Sequence, residues 1–121
     1  MNLHIHTFDL QLRHVFTISH ESRRVQPSII VELQDKEGRS GFGEAVVTTY
    51  YGVTMADMKA TLEQLRPWLE AYELTSPEAF YAELETRIPD NSFVRCALDV
   101  AANDLWARQH DQALYAMWGL D

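Results

Sequence analysis

The chain has 121 residues, 46% of them hydrophobic and 23% charged, a composition typical of one globular domain with a hydrophobic core. Its net charge of −8, from 18 acidic and 10 basic residues, argues against a nucleic-acid partner, because phosphate binding depends on clustered lysine and arginine. A single cysteine, Cys96, rules out an internal disulfide, and no apolar run approaches the length of a membrane span. Since the first residues show no signal-peptide pattern, the sequence predicts a cytoplasmic protein.

Three strands are predicted in the first part of the chain. They cover residues 3–13, 28–35 and 39–47. Leu3 and Phe8 fall on opposite faces of the first strand, and this change of phase predicts a bulge or a bend near Thr7. The mixed polar segment 14–27 is predicted to be a loop, and a tight turn with Gly38 at positive φ is predicted to join the second and third strands. Together these elements predict an antiparallel β-meander.

Helices are predicted beyond Gly52, where the apolar period changes from that of a strand to that of a helix. The first helix carries an apolar stripe of Met55, Met58, Leu62, Leu65, Leu69 and Tyr72. Because Pro67 lies inside this stripe, a kink or a break is predicted near Arg66. Ser76 followed by Pro77 predicts the start of a second helix, whose core face is expected to contain Phe80, Leu84 and Ile88.

Asn91 or Ser92 is predicted to cap a third helix, and a short last turn is predicted to span residues 114–118 before Gly119. The buried stripe of the third helix is expected to contain Val94, Ala97, Leu98, Ala101, Leu105 and Trp106. The two alanines are small enough to allow close packing between helices. The predicted fold is therefore α+β, a three-stranded antiparallel β-meander followed by a bundle of three to four helices.

The stretch S-G-F-G-E-A-V-V-T-T-Y-Y-G, from Ser40 to Gly52, contains two closely spaced glycines. A phosphate-binding loop would need a third glycine at the right spacing or a lysine after the last glycine. Here Gly43 is followed by Glu44, whose carboxylate would repel phosphate. We interpret the stretch as the end of a strand that runs into a loop lying close to another element.

Metal-binding and nucleophilic residues are sparse. His4 and His6 alternate on the first strand and would be able to share a metal, but zinc needs three or four converging ligands, and outward polar residues on an edge strand explain the pair as well. Cys96, expected in the first turn of the third helix, is a candidate nucleophile, yet its neighbours Ala97 and Leu98 favour a packing role. We assign no catalytic residue and no metal ligand.

Carboxylates are plentiful, but their spacing defines no acid–base pair. Asp99 lies four residues after Arg95, and Asp104 lies four residues before Arg108. Such spacing predicts ion pairs on a helix surface, or groups held against a neighbouring domain.

Five segments occur in an order that resembles a known family. They are F-T-I-S from Phe16, S-I-I-V-E-L-Q-D-K-E-G-R-S-G-F-G-E-A, Y-G-V-T, C-A-L-D-V-A-A-N-D-L-W-A-R and L-Y-A-M-W-G. The ordered set spans essentially the whole chain. It resembles the N-terminal capping domain of the enolase superfamily, within the muconate-lactonizing-enzyme-like subgroup and, inside that subgroup, the dipeptide epimerases.

The resemblance implies that residues 1–121 are a capping domain whose parent enzyme continues into a (β/α)-barrel absent from this chain. Such a barrel holds Mg²⁺ through three carboxylates and uses two lysines for proton transfer α to a carboxylate. The lysines of this chain, Lys36 and Lys59, fall in a turn and on a helix, so the chain is not expected to be catalytic alone. The implied partners are its own barrel domain and a small-molecule substrate, a dipeptide; oligomerisation stays open.

The resemblance also assigns two loops to a lid over the barrel mouth. The lid residues expected to contact the substrate are Phe16, Ser19, Glu21, Arg24, Tyr50 and Tyr51. Gly41 and Gly43 would let the backbone pass close to the barrel face.

Position 21 bears on specificity within this resemblance. Dipeptide epimerases that act on acidic side chains place an arginine five residues after the phenylalanine that matches Phe16, and here that position is Glu21. An acid there would repel a glutamyl side chain and attract a cationic one, which predicts a preference for dipeptides with a neutral or basic second residue. Arg23 and Arg24 lie close by, so a loop shift of two residues would restore a positive group.

Two other interpretations stay open. The chain would also fit a free-standing α+β module that binds a small molecule or a protein, or the cap of another superfamily member such as a lactonizing enzyme or succinylbenzoate synthase. A large apolar patch on the domain would favour a cap, because a lid must dock on something. A polar surface with a pocket inside the meander would favour the free-standing module.

Overall fold

The structure is a computed structural model that describes the backbone of residues 1–18, 21–47 and 52–120 and the side chains of residues 1–9, 27–47 and 52–120. Its strands are β1 (Asn2–Ile18), β2 (Glu21–Gln34) and β3 (Ser40–Val46). Its helices are α1 (Met55–Ala71), α2 (Pro77–Arg87), α3 (Ser92–Gln109) and α4 (Leu114–Met117). The strands pair antiparallel in the order β1-β2-β3, which confirms the predicted α+β meander followed by helices.

The turn between β2 and β3 is organised by Asp35. Its carboxylate accepts hydrogen bonds from the backbone N–H groups of Glu37 at 3.0 Å and Arg39 at 2.9 Å, and Gly38 has the predicted positive φ of 87°. Gln109, at the end of α3, donates to the same carboxylate at 3.0 Å. Burial raises the pKa of Asp35, but the hydrogen bonds from Gln109 and Arg39 together outweigh it and hold the pKa below its ordinary value.

The predicted loop over 14–27 is wrong for the described backbone. β1 continues to Ile18 and β2 begins at Glu21, and these two residues pair directly. The polar composition of the segment favours a loop, but its residues form strands because pairing with a facing strand satisfies the backbone N–H and C=O groups whatever the side chains are. The bulge predicted near Thr7 is also wrong, since the register is continuous there and shifts only between Gln11 and Phe16. The change of phase instead places Phe8 on the outer face of the sheet, where it is 48% exposed.

Helix α1 runs through Pro67 to Ala71, so the predicted break near Arg66 is wrong. A proline inside a helix removes one backbone donor, and contacts made elsewhere can offset the loss. The Arg66 guanidinium supplies such contacts, because it donates to the Glu63 carboxylate at 2.8 and 2.9 Å and to the Leu3 carbonyl oxygen at 2.6 Å. The last of these bonds fixes α1 to β1.

One hydrophobic core lies between the sheet and the helices. As predicted, its buried side chains include Met58, Leu62, Leu65, Leu98 and Leu105, which pack with Ile29, Val31 and Leu33 of β2. Ser76 caps α2 by accepting a hydrogen bond from the Ala79 N–H at 3.1 Å, and the predicted face of Phe80, Leu84 and Ile88 is buried. Trp106 is only half-buried at the edge of this core. None of the described helices combines the length and the apolar character needed to cross a bilayer.

The expected packing role of Cys96 is wrong, because the residue is exposed. Helix α3 begins at Ser92, so Cys96 also lies beyond its first turn. The buried side of the helix at this level carries Ala97 and Leu98, and Cys96 lies on the opposite side.

The two glycines of β3 lie against α3. A Cβ atom on Gly43 would overlap the carbonyl oxygen of Ala97, and one on Gly41 would overlap that of Ala101 and come within 2.8 Å of the Leu105 Cα atom. Because the facing residues of β3 and α3 are glycines and alanines, the backbones of the strand and the helix are in direct contact. The close packing predicted between helices is therefore made between α3 and a strand. The expectation that these glycines approach a barrel face is wrong, because their Cβ side is already occupied by this domain's own helix.

We predict that Gly43→Ala destabilises the domain, because the added methyl group has no space beside the Ala97 carbonyl oxygen. Overpacking of this kind lowers the free energy of unfolding by about 1–3 kcal/mol, measured as the midpoint of urea denaturation. Glu44→Ala, one residue along on the exposed face, is the matched control and should change stability by no more than about 0.5 kcal/mol. Equal midpoints for the two variants would show that α3 does not constrain this strand.

Candidate functional site

The first predicted lid segment is a two-stranded ribbon that extends beyond the sheet. Pairing between β2 and β3 ends at Ser28 and Val46, whereas pairing between β1 and β2 continues to Ile18 and Glu21. In this ribbon, Phe16 lies in register opposite Arg23, and Glu21 lies opposite Ile18.

The ribbon therefore carries three of the predicted lid residues on its backbone. Phe16 lies on β1, and Glu21 and Arg24 lie on β2. Ser19 lies between the two strands and outside the described residues.

The second predicted lid segment, between β3 and α1, starts beside the base of the ribbon. The Val47 N–H donates to the Pro27 carbonyl oxygen at 3.0 Å, which ties the start of this segment to β2. The segment ends at Gly52, with φ of 70°, before Thr54 caps α1 by accepting the Asp57 N–H at 3.1 Å. Tyr50 and Tyr51 lie outside the described residues. Both lid segments thus leave the domain from the same end of the sheet.

A surface pocket of about 380 Å³ lies beside the end of the second segment. Its lining residues are Gly52, Val53, Asp57, Asp90, Asn91, Ser92 and Phe93. These lining residues include two carboxylates and no basic side chain, so the pocket favours a cationic group over an anionic one. Sequence reasoning missed the pocket because Asp57 and Asp90 are far apart in the chain and meet only through the packing of α1 beside α3.

Asn91 holds one wall of this pocket together. Its Oδ1 accepts a hydrogen bond from the Val94 N–H at 3.2 Å, so Asn91, and not Ser92, is the cap of α3. Its Nδ2 donates to the Thr61 hydroxyl oxygen at 3.2 Å, which joins the start of α3 to α1. One side chain therefore sets the separation of the two helices that flank the pocket.

His4 and His6 of β1 lie on the outer face of the sheet, where both are exposed. His6 Nε2 lies 2.9 Å from Glu32 Oε1, and the Ser40 hydroxyl donates to the same carboxylate at 2.5 Å. The hydrogen bonds from Ser40 and then His6 hold the pKa of Glu32 below its ordinary value. Among residues whose side chains the structure describes, no three His, Cys, Asp or Glu groups converge on a point where a metal ion would bind.

The two ion pairs predicted on α3 have different outcomes. Asp104 and Arg108 form the expected pair at 3.2 Å, and Asp104 also accepts the Phe42 N–H of β3 at 3.0 Å. Arg95 instead donates to the carbonyl oxygens of Ile88 at 2.9 Å and Pro89 at 2.7 Å. The carbonyl groups of Ile88 and Pro89 follow the end of α2 and lack partners within that helix, so a guanidinium is favourable there.

Comparison with known proteins places this geometry in a family. A family model described as the N-terminal domain of mandelate racemase / muconate lactonizing enzyme matches residues 3–119. Among curated proteins, the L-Ala-D/L-amino acid epimerase of Flavobacterium johnsoniae is 45% identical over 118 residues, which cover 98% of this chain and 35% of that protein. The L-Ala-D/L-Glu epimerase of Bacteroides thetaiotaomicron is 29% identical over 123 residues, which cover 100% of this chain and 31% of that protein.

Solved structures agree with the sequence comparisons. A dipeptide epimerase from Methylococcus capsulatus, complexed with Mg and the dipeptide L-Arg-D-Lys, superposes with a TM-score of 0.87 at 26% identity. The match covers 98% of this chain and 34% of that one. The chain therefore spans about a third of the length of the proteins that it matches.

We predict that Asn91→Ala weakens the wall of the pocket, because the variant loses both the cap of α3 and the bond to Thr61. Loss of an asparagine cap costs about 0.5–2 kcal/mol of stability, measured by thermal or urea denaturation. Ser92→Ala is the control, since Ser92 is exposed at the next position, and it should stay within about 0.5 kcal/mol of the unchanged chain. If the two variants were equally stable, Asn91 would not hold these helices.

Proposed function

The chain belongs to the mandelate racemase / muconate lactonizing enzyme N-terminal domain family, and on that premise we propose that it is the substrate-selecting cap of a dipeptide epimerase. The observation that carries the proposal is 45% identity, over nearly the whole chain, to an epimerase that is about three times as long. The proposed cap acts together with the domain that makes up the rest of such an enzyme, a (β/α)-barrel, and not by itself.

The proposed role of this chain in the reaction is to cover and shape the substrate site. The ribbon of β1 and β2 and the segment between β3 and α1 start from the same end of the sheet, where Val47 is bonded to Pro27. Closed over a barrel mouth, the two segments would exclude water and orient the side chain of the second residue of the dipeptide.

The proton-transfer chemistry is assigned to the barrel domain. In a 1,1-proton transfer, the Cα–H bond next to the carboxylate breaks and a proton returns from the opposite face. Lys36 lies in the β2–β3 turn, at the end of the sheet away from the ribbon, and Lys59 is exposed on α1, so neither is placed as the required base. The described carboxylates of this chain do not fit a magnesium site, because no three acidic or imidazole groups converge.

The side-chain preference is proposed to depend on Glu21. This residue lies on the ribbon, in register opposite Ile18. A carboxylate about 4 Å from a substrate charge contributes roughly 1–4 kcal/mol, favourable for a cation and unfavourable for an anion. The 45% identical relative is an L-Ala-D/L-amino acid epimerase, and the Bacteroides relative is an L-Ala-D/L-Glu epimerase. The Methylococcus enzyme, which was solved with a dipeptide that ends in lysine, supports a preference for basic second residues.

We predict that the isolated 121-residue chain neither exchanges the α-proton of a dipeptide nor binds Mg²⁺ better than a generic acidic protein. The full-length protein should incorporate solvent deuterium at the α-carbon of the second residue, followed by ¹H NMR, and should lose this activity when metal is chelated. Isothermal titration with MgCl₂ measures metal binding by each protein. Exchange by the isolated chain, in a preparation free of host epimerases, would contradict the assignment of proton transfer to the barrel domain. A full-length protein inactive on every dipeptide would refute the proposed reaction.

We predict that Glu21→Arg in the full-length protein shifts selectivity towards Ala-Glu and away from Ala-Lys, because the charge that faces the substrate is reversed. The ratio of kcat/KM values for the two dipeptides should change by about tenfold or more, equivalent to about 1.4 kcal/mol. Glu37→Arg is the matched control, since it makes the same change of charge in the exposed β2–β3 turn, far from the ribbon. The hypothesis fails if Ala-Glu is already the best substrate, or if both variants change the ratio equally.

A further inference from the structure

Helix α3 has an outward stripe that the other described elements cover only in part. Its inward side, with Ala97 and Ala101, lies against β3 and is fully buried. The outward stripe consists of Cys96, Asp99, Val100 and Asn103, which fall on one side at helical spacing. Val100 is 44% exposed although it lies in the middle of the most buried helix, and Cys96 is exposed as well.

Helix α4 continues this stripe and adds aromatic surface to it. The Trp118 Nε1 donates to Asn103 Oδ1 at 3.2 Å, so the two helices present one continuous surface. Tyr115 and Trp118 are 58% and 59% exposed. The surface formed by Cys96, Asp99, Val100, Asn103, Tyr115 and Trp118 is called the α3–α4 face. Exposed apolar patches of this kind mark interaction surfaces, and tyrosine and tryptophan are enriched in them.

Asp99 places a carboxylate on the α3–α4 face. Its carboxylate accepts a hydrogen bond from Asn103 Nδ2 at 3.2 Å and lines a hollow of about 280 Å³ with Pro77, Glu78 and Tyr81. Burial raises the pKa of Asp99, and the negative charge of Glu78 raises it further. A surface that covers this carboxylate removes more water from it, and a hydrogen-bond donor with a positive charge on the covering surface would offset that cost.

The length of the relatives identifies what covers this face. The family model describes an N-terminal domain and matches to residue 119, so the remaining two-thirds of such enzymes follows directly after α4. Leu120, at this junction, is 57% exposed beside the aromatic residues of α4. A domain attached there meets the α3–α4 face without a long linker.

We propose that the α3–α4 face is the surface on which the following domain of the same polypeptide docks, with a lysine or arginine of that domain against Asp99. The inference rests on the proposed function, because that function implies that a further domain exists. It adds that the α3–α4 face is the covered face of the cap and that the covering residue is positively charged. Neither point depends on which substrate the enzyme uses.

The test measures how quickly iodoacetamide alkylates cysteines in the native full-length protein, with modified peptides quantified by mass spectrometry. Cys96 is the reporter within these residues and needs no substitution. A second reporter is Tyr115→Cys, and the exposed control is Gln64→Cys on α1. Docking predicts that Cys96 and the cysteine at position 115 react about tenfold or more slowly than the control. Reaction of both reporters at the control rate would overturn the proposal.

Dilution and charge reversal complete the experiment. Protection by a domain of the same chain is independent of protein concentration, whereas protection lost on dilution would assign the face to a second copy and overturn the proposal. Asp99→Lys should raise the Cys96 alkylation rate about tenfold, while Gln64→Lys should leave it unchanged. If Asp99→Lys had no effect, the positive partner would be wrong. Because alkylation does not require activity, a protected face in a protein without epimerase activity would uphold docking and refute only the proposed reaction.

Discussion

The rest of the domain depends on backbone contact between β3 and α3. Because Gly41 and Gly43 have no side chains, α3 lies directly on the strand at Ala97 and Ala101, and this fixes both its height and its rotation. The distant ends of the helix follow from this placement. Gln109 reaches the Asp35 turn at one end, and Asn91 reaches Thr61 of α1 at the other. The rotation that turns the alanines inwards is also the one that leaves the α3–α4 face outwards.

The elements that sequence reasoning predicted correctly are those that local chemistry determines. Ser76 before Pro77 starts a helix by satisfying its own first N–H groups, and Gly38 closes a turn by its own backbone freedom. The strands over 14–18 and 21–27 were missed because their stability comes from pairing with each other, which the residues of the segment do not indicate locally. Pro67 was expected to kink or break α1 because the compensating bond, from Arg66 to the Leu3 carbonyl oxygen, joins residues that are 63 positions apart in the chain.

The site was predictable in outline and not in detail. The resemblance predicts two lid segments, and the structure shows that both start from one end of the sheet, with Val47 bonded to Pro27. The acidic pocket was not predictable, since Asp57 and Asp90 meet only after α1 and α3 have packed. The two glycines were expected to lie close to a barrel domain but lie against α3, because a glycine pattern indicates a close approach without indicating which element approaches.

Because β3 ends before the ribbon does, substitutions in the ribbon and substitutions in the packed half of the domain have different consequences. Beyond the pairing of Ser28 with Val46, β1 and β2 continue as a two-stranded ribbon without the third strand that lies on α3. Substitutions at the far end of the ribbon therefore leave the contact between β3 and α3 intact, whereas substitutions at Gly43 or Ala97 would disturb it directly. If the ribbon contacts the substrate as proposed, a lineage can change its substrate by varying the ribbon without disturbing the packed half of the domain. Divergent specificities on one unchanged scaffold are the expected outcome of this division.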